Sequence, residues 1–388
     1  MTRRVDVLVV GAGIHGAGIS QAAAAAGHTV LTLEQTGIAA GTSCRSSKLI
    51  HGGLRYLETG QLALVRESLR ERAILLRIAP QLVRLMPFHI PIYRHSQRSR
   101  LEIRAGLSLY ALLDNLRRDA WFSTLPRRDW AALDGLSTEG LRAVFRYHDA
   151  RTDDAALTRA VMRSAQTLGA ELACPAEFVA AQRLDDGYLV RYRDASGEHE
   201  CRAATVVNAG GPWVNTVLAR IAPTPAPANV ELVGGAHIVL DHALDHGAYY
   251  TEAEDGRAVF MLPWRGGLTL VGTTETPYHG DPGAVRPLDT EVQYLQRTFA
   301  RYFPGRDVNL RDQFAGLRVL PRGTGRAFHR TRETLFVRDD PLRPRLLSVV
   351  GGKLTGYRAT AEKVMLVLRG ALPPRPARAD TATLPLTD

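Results

Sequence analysis

The N-terminus constrains the fold most. An apolar run, Val5 to Val10, leads directly into Gly11-Ala12-Gly13-Ile14-His15-Gly16, and an alanine-rich helical stretch continues to Gly27. A short, largely apolar run reads as a buried parallel strand. Gly11 serves the tight turn, Gly13 lets a pyrophosphate approach the backbone, and Gly16 lets the helix pack on the strand. The helix begins at Ile14 and His15, where unpaired N–H groups and the helix dipole favour an anion. A second strand, His28 to Leu33, ends in Glu34, an acid placed to accept hydrogen bonds from a ribose diol. This β-α-β unit predicts a Rossmann-like dinucleotide-binding domain. By itself it does not separate NAD from FAD.

The C-terminal pattern favours FAD. Leu346 to Val350 reads as a strand, Gly351-Gly352 as a turn, and Lys353-Leu354-Thr355 as the approach to a helix that runs to Gly370. A helix so placed can aim its N-terminus at the pyrimidine end of an isoalloxazine ring and stabilise the charge of a reduced flavin. Between the two ends, helices are expected over 58–79, 100–118 and 155–168. Strands are expected over 171–193, with a hairpin turn at Asp185-Asp186-Gly187, and over 204–208. Residues 231–275 are strand-rich and glycine-punctuated, the pattern of an antiparallel sheet. The expected fold is α/β, an α+β two-domain arrangement. Residues 1–80, 145–230 and 325–375 form a discontinuous Rossmann-like FAD-binding domain. Residues 81–144 and 231–324 form an interleaved antiparallel-sheet substrate domain, and 376–388 a flexible tail.

The formal net charge of +10 over 388 residues suits anionic partners. The basic residues are dispersed, with no stripe interleaved by aromatics, so nucleic acid is not expected as a partner. The three cysteines, Cys44, Cys174 and Cys201, form no CxxC pair, which argues for a reducing compartment and against a disulfide framework or zinc site. No metal is expected. No run approaches the ~20 apolar residues of a spanning helix, and no secretory h-region opens the chain. The expected location is cytoplasmic, with any membrane contact peripheral, on the inner face of the cell membrane. The stretch from Arg98 to Arg118, an apolar stripe flanked by arginines, has the composition for such contact.

Ser43 to Glu58 reads SCRSSKLIHGGLRYLE. This block closely resembles flavin-dependent glycerol-3-phosphate dehydrogenases of the D-amino-acid-oxidase-like superfamily. Further matches follow in order: Asn208 to Val214 with the family's NATGPWV, Gly234 to Val239 with its KGSHIV, and Gly272 to Glu275 with its GTTD. Gly280-Asp281-Pro282, Gly316-Leu317-Arg318 and Gly351 to Arg358 resemble its GDP, GVRPL and GGKLTTYR. Gly210 and Gly356 stand where the family has Thr. The family continues beyond GGKLTTYR into a C-terminal helical domain, whereas this sequence ends soon after that helix. The resemblance implies FAD as cofactor, a small phosphorylated substrate (sn-glycerol 3-phosphate, oxidised to dihydroxyacetone phosphate) and a quinone or other electron acceptor.

It also implies site residues. Beside Gly11, Gly13, Ile14, His15, Gly16 and Glu34, contacts to FAD are expected from Thr42, Ser43, Ser46, Ser47, Lys48, Leu49 and His51. Val179, Ala209, Gly210, Trp213, Gly352, Lys353, Leu354 and Thr355 complete that set. Substrate is expected to meet Arg55, Tyr56, His237, Arg332 and Lys353. A guanidinium fork suits a phosphate dianion. Arg318 is expected to polarise the reacting oxygen, and His51 is the candidate proton acceptor. Two other readings stay open at this point: a related flavoenzyme acting on a 2-hydroxy acid or amino acid, whose carboxylate Arg318 could equally bind, and a flavin-binding subunit that has lost catalysis.

Overall fold

The computed structural model describes residues 3–323 and 333–387. Among them the backbone forms two sheets, of nine and ten strands. In the first, strand Arg3–Val10 is flanked by two parallel neighbours: Val30–Leu33, with Val7 opposite Val30, and Gly197–Asn208, with Val10 opposite Asn208. Its last six residues are all buried, as a largely apolar run permits in a sheet covered on both faces, and the one acid among them, Asp6, accepts from the Thr29 N–H. Gly197–Asn208 serves two partners along its other edge. Its first half pairs antiparallel with Gly187–Asp194, and Val206 to Asn208 then pair in parallel with Leu346 to Ser348. The carboxyl ends of four strands thus lie together, where open α/β sheets bind ligands.

Helix Ile14–Ala25 packs against helices Asp154–Thr167 and Tyr357–Leu368. That approach requires small residues. A Cβ on Gly16 would lie 1.9 Å from the Gly11 carbonyl oxygen, and one on Gly18 would lie 2.6 Å from the Tyr357 ring.

The second sheet is largely antiparallel. Val83–Tyr93 pairs with Leu141–Thr152, and Val230–Leu240 with Leu310–Pro321. Pro87 and Pro91 obscure the first of these in the sequence, since proline argues against a central strand. They stand in register with His148 and Val144 and share one parity along the strand, so both missing N–H groups face the same edge. The strands cross the expected division of the chain at two points. Leu49–Ile50 pairs with Ala150 and Arg151 of the second sheet, and Leu141–Thr152 passes residue 145 without a break.

Two helices are shorter than expected. The helix expected over 58–79 spans Leu62–Ile78, because Gly60 turns the chain at φ +69°. The one expected over 100–118 spans Arg100–Leu113, capped by Ser99 and Glu102, and ends where Asn115 and Leu116 take φ near +54° and +53°. The segment expected as a flexible tail is docked. Arg378 and Ala379 donate backbone N–H groups to the Ala25 carbonyl, Leu386 donates to that of Ile78, and the Leu386 side chain is buried. Its apolar residue and backbone donors fill positions the polar composition concealed.

Candidate active site

A cavity of about 750 Å³ opens at the carboxyl ends of the parallel strands and extends to the second sheet. Most of the expected residues converge on it. Gly11, Gly13, Ile14, His15 and Glu34 line it from the first β-α-β unit. Thr42, Ser43, Ser46, Ser47, Leu49, His51, Arg55 and Tyr56 line it from the following segment. Ala209, Gly210, Trp213, His237, Arg318, Gly352, Lys353, Leu354 and Thr355 complete the wall.

Three expected residues lie elsewhere. Gly16 packs on Gly11 rather than facing the cavity. Lys48 turns its ammonium to Asp154, 2.7 Å away, and to the Cys44 carbonyl, and Ser46 donates to the same carboxylate. A buried ammonium needs a counter-ion, so the Asp154 carboxylate and not the cavity takes this side chain. Val179 sits at an irregularity in its strand and does not line the cavity, whereas its neighbour Phe178 does. Arg332 lies outside the described residues. Sequence reasoning missed Phe260, Ala258, Thr273 and Arg45 on the wall. Thr273 and Arg45 carried a signal, the first within the Gly272-Thr273-Thr274 match and the second within the Ser43 to Glu58 block.

The glycine turns make a cradle. A Cβ on Gly11 would lie 2.8 Å from the Ala209 carbonyl oxygen, and one on Gly13 would lie 3.1 Å from Ser43 Oγ. Helix Ile14–Ala25 starts at Gly13 without a side-chain cap from that residue, and the Ile14 N–H donates to Ser43 Oγ at 2.9 Å. Helix Tyr357–Leu368 likewise starts without a side-chain cap, after a Gly351-Gly352 turn at φ +75° and +91°. A Cβ on Gly352 would lie 2.4 Å from His15 Nε2. His15 Nδ1 is buried without a hydrogen-bond partner, and burial pulls the imidazole down to about 4, so it is neutral. Glu34 closes the second strand and pins the first turn by accepting from the Ala12 N–H at 2.8 Å.

These features fit FAD. Helix N-termini facing the cavity suit the pyrophosphate and the ring, and an acid at the second strand end suits the ribose. Acid-precipitated holoprotein is expected to release its yellow colour into the supernatant as FAD. Colour retained in the pellet would show a covalent link that this cradle does not anticipate. Among the described residues no group of His, Cys, Asp and Glu side chains could hold a metal ion.

The other end of the cavity is cationic. Adjacent strands place two of its groups: Val230–Leu240 pairs with Leu310–Pro321 so that Val233 faces Arg318 and His237 faces Phe314. The Arg318 guanidinium donates to the Thr274 carbonyl and to Thr273 Oγ1, both at 3.0 Å, and lies 3.7 Å from Glu275. It lies over Gly235, where a Cβ would come within 2.9 Å of it. His237 stacks on Phe314 with centroids 4.9 Å apart and meets Ser47 Oγ at 2.9 Å. Across from them, Tyr56 holds two cations. The Lys353 ammonium stands 3.9 Å from the ring centroid, and the Arg55 guanidinium stands 5.0 Å from it. His51 lies beside this pair, its backbone N–H donating to Thr355 Oγ1 at 3.1 Å. Burial, reinforced by Lys353, Arg55 and Arg72, pulls His51 down to about 3, and burial with Arg318 and Lys48 does the same to His237. Both imidazoles are therefore neutral.

Comparison with known proteins agrees with this geometry. Residues 6–358 match the model of the FAD dependent oxidoreductase family. The chain is 36% identical over 379 residues to the D-erythritol 1-phosphate dehydrogenase of Brucella abortus (strain 2308), covering 95% of this chain and 74% of that protein. It is 35% identical over 373 residues to the aerobic glycerol-3-phosphate dehydrogenase of Escherichia coli (strain K12), covering 93% and 72%. The crystal structure of the glycerol-3-phosphate dehydrogenase from Bacillus halodurans, complexed with FAD, superposes with a TM-score of 0.74 at 28% identity, covering 99% of this chain and 68% of that one. The chain belongs to the FAD dependent oxidoreductase family, on the branch that carries the glycerol-3-phosphate dehydrogenases, and FAD is its cofactor.

Proposed function

We propose that the protein oxidises the secondary alcohol of a small polyol phosphate, sn-glycerol 3-phosphate above all, giving dihydroxyacetone phosphate. One observation carries the substrate class: Arg55 and Lys353 are brought onto the same Tyr56 ring at the cavity wall, next to His51. Two cationic groups gathered on one ring at the cavity wall suit a phosphate dianion. The named activities of the Brucella and Escherichia relatives both concern a polyol phosphate. FAD, when bound, supplies the two-electron acceptor for the hydride lost from C2. The chain itself supplies position and proton handling. Arg55 and Lys353, with Arg332, grip the phosphate. Arg318, fixed by Thr273 and Thr274, polarises the oxygen at C2. His51 accepts the hydroxyl proton. Holding the substrate in this way supplies several kcal/mol of the barrier.

The test is anaerobic reduction of the bound flavin by a panel of sn-glycerol 3-phosphate, D-erythritol 1-phosphate and 2-hydroxy acids. Greater reduction by a hydroxy acid than by either phosphate would overturn the reading. Arg55→Ala is expected to raise the concentration for half-reduction roughly 10–100-fold, the worth of a charge-assisted bond of about 1.5–3 kcal/mol. Arg318→Ala is expected to lower the limiting rate instead, because its contact matters in the transition state.

Electrons leave to a quinone or another acceptor, and the exterior offers a surface for meeting a membrane. Leu101, Leu112, Leu116 and Trp121 are exposed along and just after helix Arg100–Leu113, among Arg100, Arg104, Arg117 and Arg118. Apolar side chains set among arginines suit an anionic lipid interface. Among the described residues no helix is long and apolar enough to cross a membrane. Binding to anionic liposomes that weakens with salt, and is lost in Leu112→Glu with Trp121→Glu, is the expected result. Failure to cosediment at low salt would sink the membrane contact.

A further inference from the structure

We infer that the Tyr110 hydroxyl is a positioning group for the loop that carries His51 and Arg55, holding that loop from outside the cavity. The inference rests on the roles proposed above for those two residues. His51 and Arg55 belong to a tight turn of glycines. Gly53 takes φ +83°, and a Cβ on Gly52 would lie 2.5 Å from the Tyr110 hydroxyl oxygen and 2.6 Å from Leu69 Cδ2. The turn therefore has no side chain of its own at residues 52 and 53 to anchor it. Backbone bonds anchor it instead: beside the His51 N–H bond to Thr355 Oγ1, the Gly52 N–H donates to Tyr110 Oη at 2.9 Å, with the Asp149 carboxylate also near that N–H.

The direction of that bond is imposed from deeper in the protein. Tyr110 Oη donates to Asp149 Oδ2 at 2.8 Å, while Asp149 Oδ1 accepts from Arg72 at 2.8 Å. Arg72 also donates to Asp114 at 2.5 Å. Tyr110, Asp149, Arg72 and Asp114 are all buried, so water does not compete for these bonds. A carboxylate accepts only, so the tyrosine proton must point at Asp149, and its lone pair is left facing the Gly52 N–H. Burial also holds the phenol well above its ordinary titration range, so it keeps this proton at any working pH. Tyr110 comes from helix Arg100–Leu113, Asp149 from strand Leu141–Thr152 and Arg72 from helix Leu62–Ile78. None of the three lines the cavity. Their shared endpoint is one backbone N–H, adjacent to His51 and three residues before Arg55.

The test uses Tyr110→Phe as holoenzyme, with two readouts. Hydrogen exchange across residues 50–57 is expected to speed up about tenfold or more. The limiting rate of anaerobic flavin reduction by sn-glycerol 3-phosphate is expected to fall about tenfold, with FAD content unchanged. Tyr147→Phe is the control. Its ring meets Tyr110 edge-on, with centroids 6.1 Å apart in the same core, and it should leave both readouts at wild-type values. If Tyr110→Phe does not accumulate as holoenzyme, Asp149→Asn takes its place. An amide donor there turns the phenol proton toward Gly52, and the same two changes are expected. Wild-type exchange in the loop would overturn the inference, as would faster exchange with unchanged reduction. A wild-type enzyme that no polyol phosphate reduces would instead sink the functional reading, and the exchange readout would still decide whether Tyr110 holds the loop.

Discussion

Replacing Arg72 by leucine is expected to destabilise the protein by about 3–5 kcal/mol, the cost of leaving buried charges without their partner. Arg72 is fully buried and meets three aspartates, Asp114, Asp149 and Asp119. Burial already pushes the carboxyls of Asp114 and Asp149 up, even against the pull of the guanidinium. Without that cation they would rise further and take up protons near neutral pH. The deficit should therefore be largest at alkaline pH, and the gap between Arg72→Leu and the parent should narrow as the pH falls toward 6. Denaturant midpoints of both proteins at pH 8 and pH 6 decide the matter. A constant gap would mean that these carboxylates find other partners.

The second large effect is acid lability. His89 and His237 are buried, His15 and His51 are half-buried in the cavity wall, and desolvation pulls His15, His51, His89 and His237 to about 4, 3, 4 and 3 respectively. Unfolded histidines titrate near 6.5. Below that value the unfolded chain binds a proton at each position while the folded chain does not, so stability falls as the pH falls, through a window from about 6.5 down to about 3–4. Each group contributes up to about 1.4 kcal/mol per pH unit. Four together remove roughly 4–5 kcal/mol between pH 6 and pH 5, a large share of a typical folding free energy of about 5–15 kcal/mol. The buried carboxyls of Glu71, Asp114 and Asp149, which burial pushes up, act in the opposite sense as they take up protons. Urea midpoints at fixed saturating FAD should drop steeply from pH 7 to pH 5. A flat profile would mean that these imidazoles are solvated or paired in solution.

The nucleotide end of the site was legible because it is local. Gly11 to Gly16, the strand before it and Glu34 after it are close in sequence, and each glycine has a steric reason that the structure repeats at Gly11, Gly13 and Gly16. The substrate end was not legible from pattern alone. Arg318 and His237 meet only because Leu310–Pro321 returns to pair with Val230–Leu240, and nothing local announces that register. Their expected roles came from the family resemblance. Lys48 shows the opposite failure. It stands inside the most specific motif of the chain, yet its ammonium pairs with Asp154, 106 residues away, a partner that no local pattern announces. Phe260 carries no signal at all: it faces the cavity by strand alternation within Ala258–Trp264.

The strand order of the first sheet also bears on how the chain is made. Arg3–Val10 leaves the ribosome well before its parallel neighbour Gly197–Asn208, which emerges some two hundred residues later, and Leu346–Val350 comes later still. At about 5–20 residues per second, the glycine turn waits on the order of 20–70 s before the last strand of its sheet exists. Through that interval a strand whose last four residues are apolar has an open edge, the kind of surface that pairs with other chains. Synthesis should therefore be the stage at which this protein most needs chaperone protection, and slowing translation early in the message should lower its yield more than slowing it near the end.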